Sequence, residues 1–484
     1  MRNRADANPA IPHRQHPLAM LQYTYKYLYL LLVPLLRGLW HIHSPEGLYR
    51  WMRGTWIDIL AVLLLLGLPF ASWWCNTYSL TDDAFVLYRG IFLRRTSYIP
   101  RHHITTLSVA QPLLLRPLNI VRLFIDTDAG NKRHTDFRLL INSRQAASIL
   151  EQQPPDAHLP KHIHRPRLYR LLLLSVLSSN SLSGILLLAI TFHQAGVLLG
   201  QEFQSQVLNN LQNATAYVTI IPRTAAAVAF LLVVGWCMAA LRNLLQHAPF
   251  RVIRCEHTLT IRTGFLTRRE YACVARGINY IDMRQTLAGR LLHVYTAFIH
   301  CVGYGKAKNT LSVLIPYCRA RTCQQELAGL VPEHKTQPAH QRPAPFSLFR
   351  YCRLPLCLAL LLCPLALRAS LWFPNWREII YYLIGMAYIP CLWLLAVRIV
   401  DRYTAGLSRG ETGYTIRYSR LFTLHTVSIP NDKLVTWRLQ QSPFQKRIGT
   451  CTVLLYTYNE SRQPHRLRNF RYADVLALLE NTPI

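Results

Sequence analysis

Six apolar segments in three pairs set the terms for the 484-residue chain: 18–40 with 55–75, 168–192 with 217–241, and 354–373 with 379–400. Each is close to the roughly 20 residues a helix needs to cross about 30 Å of hydrocarbon. Only 16% of the residues are charged while 51% are hydrophobic, whereas soluble domains carry about 25% charge. The pattern predicts an integral membrane protein and excludes a disordered or collagen-like chain. Lys26 and Pro34 interrupt the first segment, which also suits an interfacial or re-entrant helix.

The first sixteen residues are basic and polar, and no small-residue cleavage site follows the apolar stretch behind them. This is the pattern of a retained signal anchor. The 12 cysteines are scattered, several within apolar segments, and no CxxC pair occurs. Neither a disulfide framework nor a structural zinc site is indicated.

Between and after the helix pairs lie three polar stretches, 76–167, 242–353 and 401–484, and apolar residues alternate along their first parts as in half-buried strands. Each closes on a short helical pattern, near 143–152, 321–331 and 472–481. The resulting boundaries are 1–75 (tail and first helix pair), 76–167, 168–241 (second pair), 242–353, 354–400 (third pair) and 401–484.

The polar stretches repeat one another. A shift of 174 carries Gly90 to Gly264, Gln111 to Gln285, Arg116 to Arg290 and Phe124 to Phe298. A shift of 330 carries Ile99 and Pro100 to Ile429 and Pro430, Gln111 to Gln441 and Arg116 to Lys446. Apolar positions keep the register, as at Leu118, Leu292 and Ile448. The second copy has Val274 in place of Pro100, and the third has Arg420 in place of Gly90, which marks the third as the most diverged.

Lys and Arg number 54 against 23 acids, a formal charge of +31, and 46 of the 54 fall in the N-terminal tail and in the polar stretches, the last counted from 398. The connection 193–222 has none. The positive-inside rule therefore predicts the N-terminus and all three polar domains on the cytoplasmic side. An anionic leaflet accounts for the charge more simply than nucleic acid does, because no aromatic stacking platform accompanies it.

The run from Tyr78 to Ile125, with Leu80-Thr81-Asp82-Asp83, Gly90-Ile91-Phe92-Leu93-Arg94-Arg95, Ile99-Pro100, Gln111 and Arg116, resembles the bacterial pleckstrin-homology-like (PH-like) domain of YdbS/YdbT-type membrane proteins. The opening His16-Pro17-Leu18 is similar as well. The resemblance covers essentially the whole chain. It implies a membrane α plus β fold: six transmembrane helices in three pairs, each pair followed by a cytoplasmic PH-like domain, a bent antiparallel sheet with a C-terminal helix. It further implies residence in the bacterial inner membrane, a companion membrane protein with a single PH-like domain, and a link to resistance against membrane-active antimicrobial peptides.

No catalytic motif is present: GxSxG, HExxH, the phosphate-binding loop and a strand-linked GxGxxG are all missing. Gly303-Tyr304-Gly305-Lys306 lacks the spacing of a phosphate loop, and Asp82-Asp83 reads as a turn. The histidine pairs 41/43, 102/103 and 162/164 show no acidic or cysteine companion nearby in sequence. A non-enzymatic protein without metal or cofactor is expected, with anionic membrane lipids as its partner.

Arg116, Arg290 and Lys446 are the sharpest candidates. They either bind lipid phosphate beside leucines set in the headgroup boundary, or close a turn that recurs because the fold recurs. Arg94, Arg95, Arg268 and Arg269 follow the turn glycines and are read in the same two ways, as lipid contacts or as hairpin charge. Within the membrane, Ser175, Ser178, Ser179, Asn180, Ser181 and Ser183 make the third segment polar, which suits close helix packing or a substrate path.

Overall fold

The computed structural model describes residues 12–31, 55–81, 83–91, 93–127, 137–151, 161–178, 202, 205–206, 209–210, 223–301, 312–457 and 464–480. The chain divides into two compact units, residues 1–157 with 269–272, and the remainder.

In the first unit, strand β1 (His13–Arg14) and helix α1 (Ala19–Tyr27) precede the apolar helix α2 (Thr55–Cys75). Trp73 Nε1 donates to the Gln15 carbonyl at 2.8 Å, and the Arg14 guanidinium lies over the Trp74 ring. The domain then forms two antiparallel sheets. One is ordered β1, β2 (Thr77–Leu80), β3 (Ala84–Arg89) and β4 (Arg95–Pro100). The other runs β5 (Ile104–Pro112), β6 (Ile120–Thr127), β7 (Phe137–Asn142). Inward residues Phe85, Leu87, Leu123, Ile125 and Ile141 form the core, sealed by Ala146 and Ile149 of α3 (Ser143–Glu151).

The second unit begins with β8 (His162–His164), α4 (Leu168–Ser178) and α5 (Arg223–His247). Strand β9 (Arg251–Cys255) pairs with β8 on one edge and β10 (Thr258–Thr263) on the other, and β11 (Thr267–Val274) follows. Next come β12 (Ile278–Thr286), the short helix α6 (Leu287–Leu291), β13 (Val294–Cys301), β14 (Val313–Arg319) and α7 (Ala320–Leu330). Two long apolar helices, α8 (Leu348–Trp372) and α9 (Arg377–Thr404), pack together and lead into the third domain. Its sheets are β15 (Gly406–Arg409), β16 (Gly413–Arg420), β17 (Thr423–Pro430), and then β18 (Leu434–Gln440), β19 (Thr450–Thr457), β20 (His465–Arg471). Helix α10 (Pro443–Ile448) links β18 to β19, and α11 (Tyr472–Glu480) buries Val475 and Leu479 against the sheets.

Among the described residues four helices are long and apolar enough to cross a membrane: Asp58–Cys75, Phe230–His247, Pro345–Trp372 and Ile380–Thr404. Leu168–Leu177 is apolar but shorter. Residues 32–40 and 179–192, which would complete the first and third expected segments, lie outside the described residues, as do Ser179, Asn180, Ser181 and Ser183. Ser175 is buried and donates to the Leu171 carbonyl at 2.8 Å, one turn back along its own helix.

The three copies agree residue by residue in strand register. Ile104 pairs with Thr127, Ile278 with Cys301 and Leu434 with Thr457, and each ladder skips one residue at the same place, before Thr106, Tyr280 and Thr436. A 3-10 turn precedes each of these strands, at Arg101–His103, Ala275–Gly277 and Asn431–Lys433. Pro100 and Pro430 enter that turn with φ near −60°, and Val274 adopts φ −72° in the second copy, so the turn forms there without proline.

Copies two and three join edge to edge. Strand β12 pairs with β13 on one side and with β17 on the other, from Ile281 opposite Ser428 to Thr286 opposite Thr423. The result is a six-stranded sheet ordered β14, β13, β12, β17, β16, β15.

Candidate membrane-surface site

Two loops in each copy carry the candidate residues. The first is the tip between the last two strands of the first sheet. Gly90 and Gly264 hold φ values of +112° and +97°, and an added Cβ would lie 1.9 Å from the Leu93 carbonyl oxygen and 2.1 Å from that of Thr267. Only glycine takes these positions without strain. The third copy lacks the glycine and closes differently, with Arg420 paired to Thr423 across a two-residue turn in which Leu421 takes φ +51°.

Each tip is tied to the end of the apolar helix before it. The Gly90 N–H donates to Asn76 Oδ1 just beyond α2, and the Phe265 N–H donates to the Leu245 carbonyl of α5 at 3.0 Å. In the third copy Ser419 Oγ donates to Asp401 Oδ2 at 2.6 Å, and Arg398 reaches the Ser419 carbonyl at 3.2 Å. Apolar and basic side chains therefore stand exposed together at helix ends: Leu93, Arg94 and Arg95; Phe265, Leu266 and Arg268 with the half-buried Arg269; Arg420, Leu421 and Phe422.

The second loop joins the first two strands of the second sheet. A hydroxyl caps it in two copies: Thr286 Oγ1 accepts from the Gly289 N–H and Ser442 Oγ from the Gln445 N–H, as expected at a helix start. Pro112 stands at that position in the first copy, where the turn is a 3-10 turn, Leu113–Leu115. Gln285 Nε2 donates to the Val294 carbonyl and Gln441 Nε2 to the Thr450 carbonyl, the same bond in two copies, so these glutamines brace the loop. Gln111 is half-buried at the equivalent place.

Each of the repeated cations uses its main chain to close the turn. The carbonyls of Arg116, Arg290 and Lys446 accept from the N–H groups of Asn119, His293 and Gly449 at 3.0, 3.1 and 3.3 Å. Those three donors share a left-handed backbone, φ +53°, +54° and +68°, a repeat not singled out in the sequence although all three follow the same shifts. A carbonyl needs no particular side chain, so turn closure does not explain three cations. Arg290 and Lys446 are exposed beside Leu291 (82% exposed) and Phe444 (72%) at their turn crests, while Arg116 is half-buried beside the exposed Leu114 (84%) of its own turn. Large apolar groups left in water beside cations match a surface that meets headgroups.

Two cavities contain members of this set. One of about 1040 Å³ in the first domain is lined by Arg89, Arg95, Arg122 and Arg138 together with Tyr23, Ser72 and Asn76. The other, about 320 Å³ and next to the β12–β17 seam, is lined by Arg290, Arg342, Arg417, Gln285, Tyr403 and His425. Among the described residues no Asp or Glu lines either. Burial lowers the Arg417 pKa, and the neighbouring Arg342 charge adds to this. Clustered guanidinium groups without a carboxylate favour an anion between them.

The seam also buries a titratable network that sequence reading missed. Asp282 on β12 accepts from Arg284 Nε at 2.6 Å and bonds His425 Nδ1 on β17 at 2.9 Å, while His425 Nε2 meets Thr423 Oγ1 at 2.8 Å. Tyr418 stacks on His425 and bonds His465, and Tyr280 stacks on His300. Burial would raise the Asp282 pKa, but the His425 bond and the charges of His425 and Arg284 outweigh it and hold the group well below the usual carboxylate range. Burial pushes His300 and His465 down to about 4.

His162 and His164, which have no acidic neighbour in sequence, gain one in the fold. Both rings lie within 3.0 Å of Glu326, which α7 brings from 164 residues away. His102 and His103 stay exposed with rings 4.2 Å apart, and 41/43, Asp82, Phe92 and 303–306 lie outside the described residues. Among the described residues no group of three or more His, Cys, Asp or Glu is arranged to hold a metal ion.

The bacterial PH domain family matches residues 30–154 and 207–329, about half of the chain. The UPF0699 transmembrane protein YdbT of Bacillus subtilis (strain 168) is 22% identical over 421 residues, covering 80% of this chain and 81% of that protein. No solved structure matches. The third copy lies beyond the matched residues, yet repeats the strand register and turns of the other two. Paired sheets, closing helices and apolar helices thus agree with the matches, and the chain belongs to the bacterial PH domain family as a membrane protein similar to YdbT.

Proposed function

We propose that this is a non-enzymatic integral membrane protein whose PH-like domains rest on the cytoplasmic leaflet of the bacterial inner membrane and hold anionic headgroups there, scaffolding or protecting the envelope. The observation that carries the reading is the tie between each strand tip and the end of its apolar helix, which sets Leu93 with Arg94 and Arg95, and Phe265 with Arg268, at helix ends. Polybasic surface near an anionic leaflet gains about 1 kcal/mol per cation. The two carboxylate-free cavities add sites for phosphate-bearing groups.

The test is survival of a deletion strain challenged with cationic and cyclic membrane-active peptides. Complementation by the wild-type chain should restore survival, and a chain with Arg94, Arg95, Arg268 and Arg269 changed to Ala should not, at equal membrane abundance. Full rescue by the altered chain would remove the role of the tips; unchanged survival on deletion would remove the protective role. A peptide or lipid transporter is the second reading, but Ser175 of the third segment bonds within its own helix and supports packing instead.

A further inference from the structure

Among the described residues the repeat leaves two strand edges, those of β4 and β18, without the partner that an equivalent has. Strands β12 and β18 occupy the same place in copies two and three: Asp282 lies opposite Phe298 on β13, and Arg438 lies opposite Leu454 on β19, in matching registers. The other edge of β12 is filled by β17. The other edge of β18 ends its three-stranded sheet, and among the described residues nothing pairs with it. Thr436, Arg438 and Gln440, on the face that Tyr280, Asp282 and Arg284 present to copy three, are exposed.

Chemistry on that face says what belongs there. At the filled seam the acid, Asp282, is on the receiving strand and its partner, His425, on the arriving one. At β18 the sign is inverted, because Arg438 stands at the Asp282 place. This chain's own strand β4 ends its sheet and matches β17, but it carries Arg95 where β17 carries His425. A second copy arriving by β4 in that register would set Arg95 opposite Gln440 and diagonal to Arg438, the relation in which His425 reaches Asp282, and like charges on long side chains at that reach are unfavourable.

We propose that the open edge of β18 is a docking site for an extended strand of a PH-like domain on a different polypeptide, one bearing an acidic side chain at the place of His425, diagonal to Arg438. Main-chain pairing supplies the attachment, as in strand addition generally, and the charge selects the partner and rejects self-assembly. A charged edge residue also deters indiscriminate pairing, and a charge swap separates the two roles.

The experiment uses the full-length protein in detergent and three labelled peptides with the sequence 420–430, carrying His, Glu or Arg at the 425 position, read by fluorescence anisotropy. The Glu peptide should bind about two- to fivefold tighter than the Arg peptide, R438E should reverse that order, and R438Q should abolish the difference. By sedimentation, R438E should also gain self-association through Arg95, which the wild-type chain should lack. Peptides that bind without regard to charge, or not at all, would leave Arg438 as edge protection and overturn the proposal. A wild-type chain that self-associates, with cysteines placed at 95 and 438 cross-linking between copies, would make a second copy the occupant instead.

Discussion

The second and third domains are the same polypeptide design in two settings. In the second, the face of β12 is covered, and Asp282 and Arg284 on it form a network with His300 of β13 and His425 of β17. In the third, the same face of β18 is bare and carries Thr436, Arg438 and Gln440. The turns, the strand skip and the bracing glutamine are unchanged between them. Backbone geometry follows the repeat, while side-chain chemistry follows what covers each surface.

The largest effect should come from Asp282. Asp282→Asn removes the carboxylate from a buried pair, and breaking such a pair costs about 3–5 kcal/mol. Arg438→Ala, at the same place in the bare copy, should stay within about 0.5 kcal/mol. Denaturant melts of the two variants read the difference directly, and equal losses would break the comparison.

Acid should act more strongly on the covered face than on the bare one. His300 and His465 have folded-state pKa values of about 4 against an ordinary 6.5. Between those values the unfolded chain binds protons that the folded one refuses, so stability falls as pH drops through that window, on the order of 3 kcal/mol per histidine. The Asp282 contribution has the same sign at lower pH, because its folded-state pKa is also depressed. Hydrogen-exchange protection at β12 and β17, taken relative to the intrinsic exchange rate at each pH, should fall from pH 6.5 towards 4, with that of β18 changing less; seam protection independent of pH would contradict this.

A smaller pair concerns the tips. Gly264→Ala forces a Cβ against the Thr267 carbonyl and should cost about 1–2 kcal/mol, whereas Leu421→Gly relieves a left-handed leucine and should gain up to about 1 kcal/mol. Opposite signs in the melting temperature are the expected readout. The smallest effect on stability belongs to Lys446→Ala, which should leave the melt unchanged and weaken retention of anionic lipid by about fivefold or less, read by native mass spectrometry.

Much of this architecture was legible in the chain itself. The gapless shifts that align Gln111, Gln285 and Gln441 also align the strand skips and left-handed turns, because a repeat fixes local backbone geometry wherever it holds. Pairing across long separations was not legible: Asp282 meets His425 from 143 residues away, and Glu326 reaches His162 from 164. No local periodicity encodes such contacts. Arg420 in place of glycine signalled a changed tip, but not that Leu421 would take the left-handed position. For the repeated cations the sequence left two readings open; the main chain closes the turn in all three copies, and lipid contact by the side chains is the reading proposed above.

Contact of the tips and turn crests with lipid can be read by site-specific photo-crosslinking of the full-length protein in native-lipid nanodiscs. A photoreactive residue replacing Phe265, Leu291 or Phe444 should give phospholipid adducts enriched in anionic species, whereas one replacing Thr436 on the bare β18 face should give none. Adducts at Thr436 equal to those at the tips, or none at Phe265, Leu291 and Phe444, would contradict it.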